Sequence, residues 1–288
     1  MKLIINADDF GMTKYVNEAI IELCKLGVTT STTVMVNMPF WKEITDLLPL
    51  KHVSIGLHVN LTEGLPVTDP KLIPSLLNSK GFFHNPKELK NLAKSGKINK
   101  DQLMIELKNQ FQMLYDLIGE RIDHFDSHQG TNKIKLVTDC LSEIVKDNKH
   151  KMGIRVYQKY YIRNINSRLV VTHPHLKNII EFGLKRVAVE FVLRYRTRKI
   201  EKVFFHPDGL LLTKVHRGLD VFKILPKLDE QACPGKILEI AFHPATSTIG
   251  LPTEMSESRL NEYKYLKSDE FREAIKRFEL INYTMIKS

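Results

Sequence analysis

Apolar residues recur in two rhythms along this chain. Short β-rich runs read as strands, several of them apolar on consecutive positions as strands buried on both faces tend to be. They fall at 3–6 (LIIN), 32–36 (TTVMV), 53–57 (VSIGL), 122–126 (IDHFD), 153–157 (GIRVY), 202–205 (KVFF), 236–242 (KILEIAF) and 279–283 (ELINY). Between several of them the spacing shifts to that of a helix. Val16, Ile20, Leu23 and Cys24 line one face, with Thr13 as N-cap and Gly27 as terminator. Leu103, Leu107, Phe111, Leu114 and Leu117 form a second stripe that stops near Gly119. Leu136, Val137, Cys140, Leu141 and Ile144 form a third, and Ser268 caps a last helix in SDEFREAIKRF.

Eight strand candidates alternating with helices predict an α/β architecture, either a βα barrel or a doubly wound sheet. Residues 60–100 are rich in Pro, Gly, Asn and Lys and read as a long loop with a small excursion. Residues 158–200 also read as irregular. No repeat or linker divides the chain, so a single domain over 1–288 is expected.

Composition narrows the class. The 288 residues are 43% hydrophobic and 26% charged, ordinary for a globular protein. The start has no long apolar stretch of the signal-peptide kind, and no run approaches the roughly 18 residues of a membrane helix. Three widely spaced cysteines without a CxxC argue against a disulfide framework or thiolate zinc site and favour a reducing cytoplasm. The net charge of +10 allows an anionic partner. Its densest source, LRYRTRKIEK at 193–202, reads first as a solvated helix end. Without a nucleic-acid signature, nucleic acid is not an expected partner. A homodimer is left open.

Costly polar residues gather at the same ends of different strand candidates: Asp8 and Asp9, His58, Asp126 and His128, His206 and Asp208, and His243. In parallel α/β folds those ends form one rim, where active sites lie. Adjacent carboxylates repel unless a positive group stands beside them. Either one caps the following helix and the other is solvated, or one binds a cation while the other serves as base. Alternation along HFDSH points His124, Asp126 and His128 to one face, a plausible three-ligand set; Asp126 could instead orient a ligand histidine. His58 reads as a structural hydrogen-bonder or a ligand. Pro244 holds His243 extended at a strand end, as a satisfied core residue or an acid–base group. His206, in a turn-like HPDG, ranks lower.

Together these motifs resemble the YdjC-like carbohydrate deacetylases, which include the chitooligosaccharide deacetylases. NADDFG (6–11), STTVMVN (31–37), IGLHVNLTEG (55–64), HFDSHQ (124–129) and LEIAFHPA (238–245) follow in family order, and SRLNEYKYLKSDEFREAIKRFELINY looks like the closing segment, with its Arg and Glu. The resemblance implies a distorted (β/α) barrel, polysaccharide-deacetylase-like, that removes acetyl groups from N-acetylated mono- or oligosaccharides with one divalent metal, Mg or Zn. It implies metal ligands Asp9, His58 and His128, Asp8 as general base and His243 as general acid. The family's histidine-rich run is replaced here by SHQGTNK: His128 is kept, while Gln129, Gly130 and Asn132 replace later histidines. Backbone N–H groups near Thr13 or Asn60 are candidate oxyanion donors. Two other classes compete: a metal-dependent phosphoesterase or other hydrolase of an anionic substrate, and a non-catalytic binding protein using its basic surface.

Overall fold

The structure is a computed structural model that describes residues 1–147, 151–165, 168–174, 176, 180, 183–211, 214–215, 219–220, 225–228, 233–251 and 253–287. β1 (Lys2–Phe10) leads through the Thr13 N-cap, whose hydroxyl accepts from the Val16 N–H, into α1 (Lys14–Lys25). Gly27, at φ 69°, follows that helix and turns the chain toward β2 (Ser31–Val34). β3 (Ser54–Val59) follows, then α2 (Pro86–Lys94) and α3 (Lys100–Ile118), the latter stopped by Gly119 at φ 56°. β4 (Ile122–Ser127), α4 (Lys135–Asp147) and β5 (Met152–Ile154) come next.

Most of the described residues within 158–200 are regular rather than irregular. They fold as the strands β6 (Lys159–Ile165) and β7 (Arg168–Thr172), paired antiparallel, and a long helix α5 (Leu184–Ile200). The helix lacked a clean apolar stripe because its buried residues, Val187, Glu190 and Thr197, are mostly polar. The 60–100 excursion likewise contains α2, whose Asn85 and Glu88 form a capping box. The remaining elements are β8 (Phe204–Phe205), β9 (Gly209–Leu211), a small pair β10 (Lys214–Val215) and β11 (Leu219–Asp220), β12 (Ile237–Phe242), α6 (Thr253–Lys267), α7 (Asp269–Ile275) and β13 (Glu279–Leu280). Each of the eight strands read from the sequence overlaps one of these strands, the 153–157, 202–205 and 279–283 runs by only two residues.

The main sheet runs in the order β7-β6-β9-β12-β1-β2-β3-β4-β5-β8, with β13 beside the start of β1. From β9 through β12, β1, β2, β3, β4 and β5 to β8 all pairings are parallel. The sheet curls into a distorted barrel. β12 and β5 are five strand spacings apart, about 24 Å if flat. Yet Arg155, just past β5, bonds Glu239 of β12 at 2.7 Å. No single side chain spans a flat sheet of that width.

Curling sorts the strand faces. Leu3, Ile5, Leu238, Ile240 and Phe242 pack outward in one apolar cluster, and Ile55, Leu57, Val59 and Phe125 in another beneath α3. The alternate residues Asn6, Asp8, Thr33, His58, His124, Asp126 and Glu239 are buried, and their bonds cross the interior. That interior is polar, which is why burial on both faces did not show as continuous apolar strands everywhere.

His124 and Tyr283 fill part of this interior as a stack, 3.8 Å between centroids and 6° from parallel. Gly56 lies against them, and a Cβ there would sit 2.6 Å from the His124 ring. The ring is fixed by Asp123 at 2.6 Å and by Tyr283, so it cannot retreat. Gly56→Ala is expected to destabilise the fold by about 1–3 kcal/mol, read as a lower midpoint in urea unfolding. An unchanged midpoint would show that the stack yields.

Candidate active site

The two adjacent aspartates face the same way because β1 is bulged. Ala7 pairs with Thr32 but Phe10 with Val34, so β1 has one more residue than β2 in that interval. Asp9 absorbs the mismatch at φ 68°, a left-handed conformation that is strained for a residue other than glycine. Ordinary alternation would send Asp8 and Asp9 to opposite faces. Here both are buried, at 4% and 1% exposure, and both carboxylates bond residues of the barrel mouth.

Asp9 joins two histidines from neighbouring strands. Its Oδ1 is 3.1 Å from His58 Nε2 and 2.9 Å from His128 Nδ1, and one donor atom from each residue lies within 4.8 Å of the others. His58 is the fifth residue of β3. His128 begins a rim turn after β4, where Gln129 and Gly130 both take positive φ. Each donor is steadied from behind. Asp126 holds His58 Nδ1 at 2.6 Å and is itself bonded by Thr33. Glu63 holds His128 Nε2 at 2.8 Å, and Arg259 of α6 bonds Asp9 Oδ2. One carboxylate and two imidazoles, each ring backed by a carboxylate, fit a divalent cation.

Asp8 lies beside this triad with a different set of partners. Arg155 grips both its oxygens at 2.7 Å, and Asn6 donates to Oδ1 at 2.7 Å. The same guanidinium bonds Asp126 at 2.9 Å and Glu239. A second grouping of possible ligands, Asp8, His58 and Asp126, is therefore already bridged by Arg155. His243, 33% exposed at its side chain, reaches within 3.6 Å of Asp8 Oδ2, and Glu262 accepts from its backbone N–H at 2.5 Å.

Electrostatics follow from this packing. Burial disfavours the charged form of Asp8, but Arg155, His243 and His58 overcome it and hold the carboxyl well below its ordinary range. Burial likewise opposes ionisation of Asp9, which His128, His58 and Arg259 outweigh. For His58 burial works against the proton, but Asp126, Asp9 and Asp8 push the ring up to about 10. For His128, Asp9 and Glu63 outweigh burial and like-charge repulsion from His58, giving about 9.

The sequence reading brought Asp8, Asp9, His58, His128 and His243 to one rim, and the structure places them together. It does not bring His124 there. That ring faces the interior as Asp126 does, but it lies two residues deeper along β4, where it bonds Asp123 and faces Ser31 and Tyr283. Asp126 backs His58 rather than completing a ligand set with His128. His206 bonds the Pro207 carbonyl, and Asp208 pairs with Lys236, both outside the cluster. The Asn60 N–H is committed to Gln110 and is no oxyanion donor. Arg155, Arg259, Glu63, Glu239 and Glu262 were not identified beforehand, except that an Arg and Glu were noted in the closing segment.

The histidine shifts set a sign for pH dependence in chelator-treated protein. Both rings rise from 6.5, to about 10 and about 9. Their stabilisation is fully present below the unfolded value and is lost as pH rises through the folded values. The melting temperature of chelator-treated protein is expected to fall between pH 7 and 10; a rise across that window would contradict the assigned contacts.

The family model described as YdjC-like protein matches residues 2–277. A "Carbohydrate deacetylase" from Danio rerio is 32% identical over 76% of this chain, a match spanning 65% of that protein's length. One from Enterococcus faecalis is 29% identical over 95% of this chain and 93% of its own length. A solved Enterococcus faecalis structure, described as a candidate cellobiose-phosphate cleavage protein, superposes with TM-score 0.71 at 26% identity, covering 99% of this chain and 98% of that one. The chain belongs to the YdjC-like protein family.

Proposed function

We propose that this chain is a metal-dependent carbohydrate deacetylase, a hydrolase that removes acetyl groups from N-acetylated sugars. The observation that carries the reading is the convergence of Asp9, His58 and His128 beside an ionised Asp8 and a partly exposed His243. Relatives named carbohydrate deacetylase support the reaction class. Asp9, His58 and His128 would hold the cation. Two imidazoles favour zinc on ligand softness, and magnesium is the alternative. The match of one family model to 2–277 supports reading the chain as a single domain. Among the described residues no helix is long and apolar enough to cross a membrane. Three free cysteines, with Cys24 and Cys140 buried, support placing the protein in a reducing cytoplasm.

When bound, a divalent cation polarises the acetyl carbonyl and lowers the pKa of water toward about 7. The chain supplies the proton transfers. Asp8, held ionised by Arg155 and Asn6, accepts the proton of the attacking water. Its depressed pKa keeps it ionised and makes it a weak base, so the proton transfer would depend on the cation that Asp9, His58 and His128 would hold. Asp126 fixes the His58 ring so that Nε2 faces the triad. His243 stands on the open side of Asp8 and protonates the sugar nitrogen as the C–N bond breaks, releasing acetate and a free amine.

Acetate release from N-acetylglucosamine oligomers and other N-acetylated glycoconjugates, measured alongside metal analysis, tests this directly. Asp8→Asn is expected to lower kcat by about 10²–10⁴-fold with metal retained. His58→Ala is expected to lose the metal first. Metal-loaded protein that releases no acetate from any of these sugars would overturn the reading.

A further inference from the structure

Two arginines serve the buried carboxylates, and they are used differently. Arg155 divides one positive charge among Asp8, Asp126 and Glu239. Arg259, 3% exposed, bonds Asp9 alone among the carboxylates of the described residues, and its Nε and Nη1 have no hydrogen-bond partner there. A buried guanidinium with idle donors is costly. Hydrogen-bond satisfaction therefore does not account for it, and its undivided charge on Asp9 remains as its distinguishing property.

The contact is also one-sided. Arg259 takes Oδ2, while Oδ1 faces His58 and His128. Asp9 is thereby restricted to one oxygen on the side of the triad. The guanidinium draws negative charge toward Oδ2 and away from Oδ1, and a cation at Oδ1 meets the positive field of Arg259 across a single carboxylate. In a buried site that field is weakly screened.

We propose that Arg259 is a positioning residue of the metal centre, which holds Asp9 one-handed and weakens its donation, so that the bound cation is held less tightly but remains a stronger electrophile. This rests on Asp9, His58 and His128 forming the metal site. The role differs from a mere tether of α6 to the barrel in one sign. Losing a tether loosens the metal. Losing an opposing charge tightens it, because a free Asp9 donates more strongly and the repulsion is gone.

The test is zinc affinity, measured on chelator-stripped protein by competition with a chromophoric chelator, with kcat and KM for acetate release measured in parallel. Wild type, Arg259→Met, Arg259→Gln and Arg259→Lys are compared, with circular dichroism to show folding. Arg259→Met is expected to bind zinc about tenfold tighter or more, while kcat falls about tenfold and KM holds. Arg259→Gln keeps a donor for Asp9 without the charge and is expected to move the same way, so it stands in should the Met variant not fold. Arg259→Lys keeps the charge and is expected to remain within about threefold of wild-type zinc affinity. Weaker or unchanged zinc binding in both neutral variants overturns the proposal while leaving the metal site intact. No zinc bound by wild type overturns the metal site and this proposal together.

Discussion

The need to neutralise buried acid governs this barrel. Asp8, Asp9, Asp126 and Glu239 all lie at 4% exposure or less, and among the described residues only Arg155 and Arg259 supply permanent positive charge to them by direct bonds. Buried carboxylates cannot stay ionised without compensation. These carboxylates outnumber the guanidiniums, and further positive charge can come as protons on His58 and His128, whose hold on them the neighbouring aspartates raise, or as a divalent cation bound with both rings neutral. Protons and metal therefore compete for the same site.

The same constraint explains the interior. A barrel lined with Val, Ile and Leu could pack, but it could not hold these carboxylates. Instead Thr33 donates to Asp126, Asn6 to Asp8, and Tyr283 to Glu239. The apolar contribution comes from outside the strands, where helices cover outward-facing Leu, Ile and Phe. The left-handed Asp9 is strain that this arrangement tolerates, since the bulge is what turns two neighbouring carboxylates into one cavity.

Much of this was readable from the chain. Asp8, Asp9, His58, His128 and His243 stand out because each polar residue follows an apolar run, where strand ends meet the rim. Alternation put His124 on the inner face but says nothing of depth, and His124 lies below the mouth against Tyr283 while Asp126 reaches His58. The partners of Arg155 and Arg259 were hidden for another reason, although Arg259 is the Arg of the closing segment that the resemblance marks. Each is a single basic residue whose importance lies in contacts 147 and 250 positions away, and nothing in its local pattern encodes such a partner. α5 was missed because its buried face carries Glu190 and Thr197, so that no apolar period marks it.

The position of these partners along the chain has a consequence for synthesis. Asp8, Asp9, His58, Asp126 and His128 all lie in the first half of the polypeptide, and so leave the ribosome early. Glu239, His243, Arg259 and Tyr283 emerge last, and β1 cannot gain β12 or β13 as neighbours before then. A nascent chain thus carries its acidic pair and both ligand histidines for much of translation without the strands that enclose them. Closure of the barrel and completion of its charge balance are the same late event, so a chain that stalls before α6 holds the ligand residues but has no finished site.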